Sequence, residues 1–126
     1  MGLRTGLHDE LCRILAEFCI QNRKTLGFAD SLTDEEIAER AREHVYFQPK
    51  ENTRILYPCI VYKRSRIDTT FACNMPYAQT KEYMVTAIDR NPDSPLPDMI
   101  AALPMCVFDR HYVTENLYHD VFTICF

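Results

Sequence analysis

The chain has 126 residues, with 18 acidic against 14 basic side chains, a formal net charge of −4, 47% apolar residues and 25% charged ones. Those proportions fit a single folded domain able to bury roughly two-thirds of its unfolded surface, and they exclude a low-complexity or disordered chain. The acidic balance argues against the broad basic surface of backbone-driven nucleic-acid binding, while leaving room for a local basic patch.

No apolar run approaches the ~20 residues needed to span a bilayer, and Met1-Gly2-Leu3-Arg4-Thr5 opens no signal-peptide pattern, so the expectation is a soluble chain that is not exported. Gly6 at the sixth position also departs from the myristoylation pattern. Cys12, Cys19, Cys59, Cys73, Cys106 and Cys125 contain no C-x-x-C and no zinc-ribbon spacing. They read as free thiols used as small buried hydrophobes in a reducing compartment, with a disulfide framework or metal binding as the alternatives.

In chain order, Leu7, Leu11, Ile14, Leu15 and Phe18 recur at helical spacing opposite Asp9, Glu10, Arg13 and Glu17, which predicts an amphipathic helix over 6–20 capped by Thr5. Thr33-Asp34-Glu35-Glu36 matches a capping box and predicts a second helix over 34–43. With Ile37 and two alanines to bury, that helix should pack weakly at the periphery, and 20–43 reads as a peripheral helix-bearing insertion. Val45-Tyr46-Phe47 is a short strand stopped by Pro49.

Residues 56–66 put apolar side chains on both faces, predicting a central strand with Pro58 at its start. A strand over 79–90 is expected to pair with it as a long hairpin whose loop, 64–79, protrudes. Ser94 and Pro95 begin a third helix with Leu96, Met99, Ile100 and Leu103 as its buried stripe, ended by Pro104. Residues 105–113 and 118–126 form a last hairpin around Thr114-Glu115-Asn116, with Phe108 opposite Phe122, Arg110 opposite Asp120 and His111 opposite His119. The fold class is α+β: a mainly antiparallel sheet of about five strands with helices packed against it, in one domain spanning 1–126.

Two constellations invite chemistry. Asp109-Arg110-His111 near His119-Asp120 suggests a metal site or an acid–base pair, but a third ligand of known placement is missing and the plainer reading is exposed cross-strand polar residues. Asp89 and Asp109 suggest paired carboxylates, with nothing to fix their separation. No nucleophile elbow, Walker A, H-E-x-x-H or dinucleotide fingerprint is present, and three glycines leave little material for a phosphate-cradling loop. The reading is therefore of a non-enzyme with no catalytic residues, no metal and no cofactor, working through its surfaces. The candidate interface is the stretch 64–79. Phe71, Met75 and Tyr77 are too apolar for a solvated loop, and Lys63, Arg64 and Arg66 supply a charged rim. The alternative is that this stretch folds back onto its own sheet.

Four blocks, Val45-Tyr46-Phe47-Gln48-Pro49, Tyr57-Pro58-Cys59-Ile60-Val61-Tyr62, Val85 through Ser94, and Phe108-Asp109-Arg110-His111-Tyr112 with Asn116 through Thr123, together resemble the tail completion, or tail terminator, proteins of long-tailed bacteriophages. The resemblance covers 45–126 and the first helix, while 20–43 departs from the family pattern. It implies a virion protein of the neck, assembled in the host cytoplasm as a ring, commonly a hexamer. Such a ring caps the tail tube, meets the tail tube protein on one side and the head connector or stopper protein on the other, and lets genomic DNA pass its lumen without specific binding. The acidic balance suits that lumen. The competing readings are a head-completion or stopper ring of the connector and, in another class, a small metal-binding enzyme built on the His111/His119 hairpin.

Overall fold

The computed structural model describes residues 4–72 and 75–126, with the side chains of 68–72 and 75–80 outside that description. The chain is α+β. Helices α1 (Arg4–Gln21) and α2 (Asp34–Arg42) come first, then strand β1 (Val45–Phe47), the long β2 (Cys59–Ala72) and β3 (Met75–Asp89), helix α3 (Leu96–Ala101), and β4 (Cys106–Thr114) with β5 (Leu117–Cys125). The strands form one sheet in the order β1-β2-β3-β5-β4. β1 runs parallel to β2, and every other neighbouring pair is antiparallel.

α1 is amphipathic as its spacing requires. Leu7, Leu11, Ile14, Leu15 and Phe18 are buried, joined by Cys12 and Cys19, while Arg13 on the outer face pairs with Glu10 at 2.9 Å and Glu17 at 3.3 Å. Thr5 is helical rather than a cap, because the helix already runs from Arg4. The buried stripe of α1 lies on one face of the sheet, against Ile60, Tyr62, Tyr83, Val85, Phe122 and Ile124. Within this core the Tyr62 hydroxyl accepts from Arg4 Nη1 at 3.2 Å and lies 2.7 Å from His8 Nδ1.

The stretch 20–43 packs more firmly than its composition suggests. At the start of α2, Thr33 Oγ1 accepts from the Glu36 amide, and the Glu36 carboxylate accepts from the Thr33 amide, completing the capping box. Ile37 and Ala41 are buried in the main core, and Leu26, Phe28 and Leu32 pack against it. Arg23 binds the Leu32 carbonyl and the Asp34 carboxylate, fastening the connection to the helix it precedes. Gly27, at φ +79°, supplies the left-handed residue that lets the chain turn there.

The β2–β3 hairpin corrects the expected loop. Pairing continues past Arg66↔Glu82 through Ile67↔Lys81 to Ala72↔Met75, so 64–79 is mostly ladder, not loop. Ile67, Thr69, Thr70 and Phe71 are strand formers, and Pro76 sits beside a register shift, where its missing amide does least harm. Pro58, in a cis peptide with Tyr57, immediately precedes β2. Ser94 is displaced by one residue from the expected cap: Pro95 occupies the N-cap position of α3, and Ser94 Oγ accepts from the Leu96 amide at 3.3 Å.

The β4–β5 hairpin is tighter than expected. Glu115 and Asn116 both have positive φ, 53° and 61°, which is the backbone of a two-residue type I′ turn. Thr114 therefore faces Leu117, His111 faces Asp120, and Tyr112 faces His119. A bulge at Asp109 absorbs one residue, so Phe108 still faces Phe122, while Arg110 faces Val121 instead of Asp120. Phe122 is 2% exposed, but Phe108 is 54% exposed, because β4 is the edge of the sheet and nothing covers its outer flank among the described residues.

Candidate assembly surfaces

The sheet face turned away from α1 is divided in two. At the end near β2's start, the segment leading into β2 folds over it, and Cys59, Ile88 and Leu117 form a second small core with Ile55 and Tyr57. The other end is open. There Val61, Met84, Thr86 and Val121 floor a groove of about 650 Å³, with Tyr112 beside it and Lys63, Arg64 and Arg110 at its rim. Three basic residues and no acidic one line this groove, on a chain whose formal net charge is −4. Arg110 leans on Asp109 at 3.5 Å, whereas Lys63 and Arg64 have no ion pair among the described residues. Val107, 67% exposed, and Met105, 69% exposed, continue the apolar surface along the β4 edge. An edge strand this exposed and this apolar is a surface that proteins normally cover.

Of the residues proposed from sequence as interface, the structure brings Lys63 and Arg64 to the groove rim and leaves Arg66 on the exposed hairpin just beyond a register shift at Ser65. Ser65 Oγ donates to Glu82, whose backbone and side-chain oxygens each lie 3.2 Å away. Phe71 and Met75 are paired in the β2–β3 ladder and Tyr77 lies in β3 at the register shift between Pro76 and Ala78; the side chains of all three fall outside the described residues. Arg110, Tyr112, Met84 and Val121 are groove residues that sequence reasoning missed, since their meeting depends on strand order.

The two-histidine constellation comes apart. His111 lies 2.8 Å from Asp120 Oδ1 and stacks beside Tyr118, whereas His119 is buried on the opposite face, its Nδ1 3.1 Å from the Leu117 carbonyl and its ring stacked on Tyr112. One register step turns a facing pair into residues on opposite sides of the sheet. No group of three or more His, Cys, Asp or Glu side chains among the described residues is placed to hold a metal ion. Asp89 and Asp109 are also separate. The register sets Asp89 level with Val113, four positions along β4 from Asp109 and two strands away, on the order of 15 Å.

A second cavity of about 730 Å³ lies at the other end of the molecule, between the 20–43 segment and the end of β3, with Cys19, Phe28, His44, Tyr57, Asp89 and Arg90 among its walls. Asp89 is 9% exposed and its carboxylate accepts from the Arg90 and Asn91 amides, so it works as a turn former. Burial, reinforced by the charge of Asp89, raises the Cys19 thiol to about 11 and the Cys59 thiol to about 12. Both stay protonated at neutral pH, which makes them poor nucleophiles.

Comparison with protein-family models, with curated proteins and with solved structures found no match.

Proposed function

We propose that this chain is a structural virion protein of a long-tailed bacteriophage, forming a ring that caps the tail tube and joins the tail to the head connector. The observation that carries the reading is the uncovered half of the sheet: an apolar floor, a basic rim and an exposed edge strand side by side. A monomer gains nothing by leaving such a surface open, and an assembly subunit gains an interface. The four sequence blocks that resemble tail terminators supply the location. Action in this role is steric. The ring sits on the last layer of tube subunits, stops further addition, and offers its other side to the connector while DNA passes through the middle.

The test is electron microscopy of particles produced without this protein, together with the mass of the purified chain in solution. A terminator leaves overlong tails unattached to filled heads, and its purified form is a closed oligomer. Tails of normal length that fail to join heads would move the protein to the connector side, and normal infectious particles would end the virion reading.

A further inference from the structure

The segment 20–43 is the part of the chain that departs from the tail-terminator pattern, and its helix presents an outer face with no task inside the monomer. In α2, Ile37 and Ala41 point inward, while Glu35 and Glu39, four residues apart, lie on the opposite side and are exposed; Glu43, the C-cap, lines the cavity by Cys19. The other charges of this helix are engaged. Asp34 pairs with Arg23, Glu36 completes the capping box, Arg42 lies 3.8 Å from Asp9, and Arg40 turns to the cavity by Cys19. Glu35 and Glu39 have no ion pair among the described residues.

The groove on the far face of the sheet is the complement of that stripe. Its rim has Lys63 and Arg64 on β2 and Arg110 on β4. β2 and β4 are three strand steps apart, about 14 Å. Along an α-helix, Glu35 and Glu39 lie about 6 Å apart, so both fit within the gap between the basic rims. The two surfaces lie on opposite sides of the molecule, α2 outside α1 and the groove on the face away from α1. A contact between such surfaces on two copies is head-to-tail, and head-to-tail contacts form a ring when the rotation between copies closes and an open filament when it does not.

We infer that the acidic outer face of α2 from a second copy of this chain seats in the basic-rimmed groove, and that this contact is the ring interface; the inference rests on the ring reading given above. Val61, Met84 and Val121 supply the apolar centre, Tyr112 and Val107 extend it along the edge strand, and the charges fix direction and register. The segment 20–43 thereby has a role: it is the half of the interface that the groove lacks.

Charge exchange tests this on the full chain. Lys63→Glu with Arg64→Glu reverses the β2 side of the rim, and Glu35→Lys with Glu39→Lys reverses the stripe. All four positions are on the surface, and circular dichroism with thermal melting verifies folding. Each double variant alone is expected to raise the concentration for half-assembly at least about tenfold, because like charges then face one another. Mixing the two double variants, or combining all four changes in one chain, is expected to restore the oligomer, read by light scattering. Wild-type assembly is expected to weaken as salt is raised. A wild-type ring that neither double variant disturbs overturns this interface and leaves the ring reading standing. Loss without rescue in both the mixture and the fourfold variant overturns it too. A wild-type chain that stays monomeric at every concentration overturns both.

Discussion

Replacing each member of the Phe108–Phe122 pair by alanine separates an edge strand from a core strand with one chemistry. The two rings are 5.7 Å apart and edge-to-face, so a contact between them is lost in either variant. Phe122 is 2% exposed and packed with Val85, Ile124 and the α1 stripe, so Phe122→Ala leaves a cavity as well as losing transfer free energy, about 3–5 kcal/mol. Phe108 is 54% exposed. Fully burying a Phe side chain is worth about 1.5–3 kcal/mol, so the buried half contributes about 1 kcal/mol, and water fills the gap without a cavity penalty. Adding part of the aromatic pair term of about 0.5–1.5 kcal/mol puts Phe108→Ala at about 1–2 kcal/mol. Urea denaturation of the dissociated chain, at a protein concentration low enough to remove assembly, measures both, with an unchanged m value required for a fair comparison. Equal losses of 3–5 kcal/mol in both variants would refute the edge position of β4, because they would mean that its outer flank is packed.

Removing the capping-box hydroxyl with Thr33→Ala is expected to cost about 1 kcal/mol in the same assay, while Thr33→Ser keeps the bond and the stability. His8 has its pKa lowered from the ordinary value by burial first and by the Arg4 charge second. A lowered histidine pKa means the unfolded chain binds the proton more readily. The associated stability is present above pH about 6.5 and is lost as pH falls through the folded value. His8→Gln is expected to flatten this acid-side fall in a pH series of denaturation curves, and an unchanged slope would assign the fall to other groups. Cys12, Cys19 and Cys59 are buried, so iodoacetamide on the native chain should modify the half-buried Cys106 and Cys125 first, with Cys59 among the slowest, and all of these should react after denaturation. Rapid native labelling of Cys59 would contradict its burial.

The sequence by itself determined the pieces whose physics is local. The 3.6-residue stripe from Leu7 to Phe18 makes α1 wherever the helix is placed, the Thr33-Glu36 box starts α2 from side chains three residues apart, and alternation about Val85 and Tyr83 marks a strand. The α+β class follows from those pieces. Tertiary structure decided what depends on neighbours far along the chain. The choice of a two-residue turn at Glu115-Asn116 and the bulge at Asp109 moved Arg110 and His111 by one partner, and with a period of two that change decides which face each side chain meets. Strand order set β4 at the edge and so left Phe108 half exposed, although its spacing is that of a core residue. The groove is the clearest case. Lys63 and Arg64 were recognisable as a basic cluster, but their opposite rim, Arg110, lies on β4 and is brought into the same groove, level with Val61, only because β3 and β5 intervene in the sheet. Local periodicity encodes which face is apolar; which parts of that face stay uncovered is decided only when every strand and loop has taken its place.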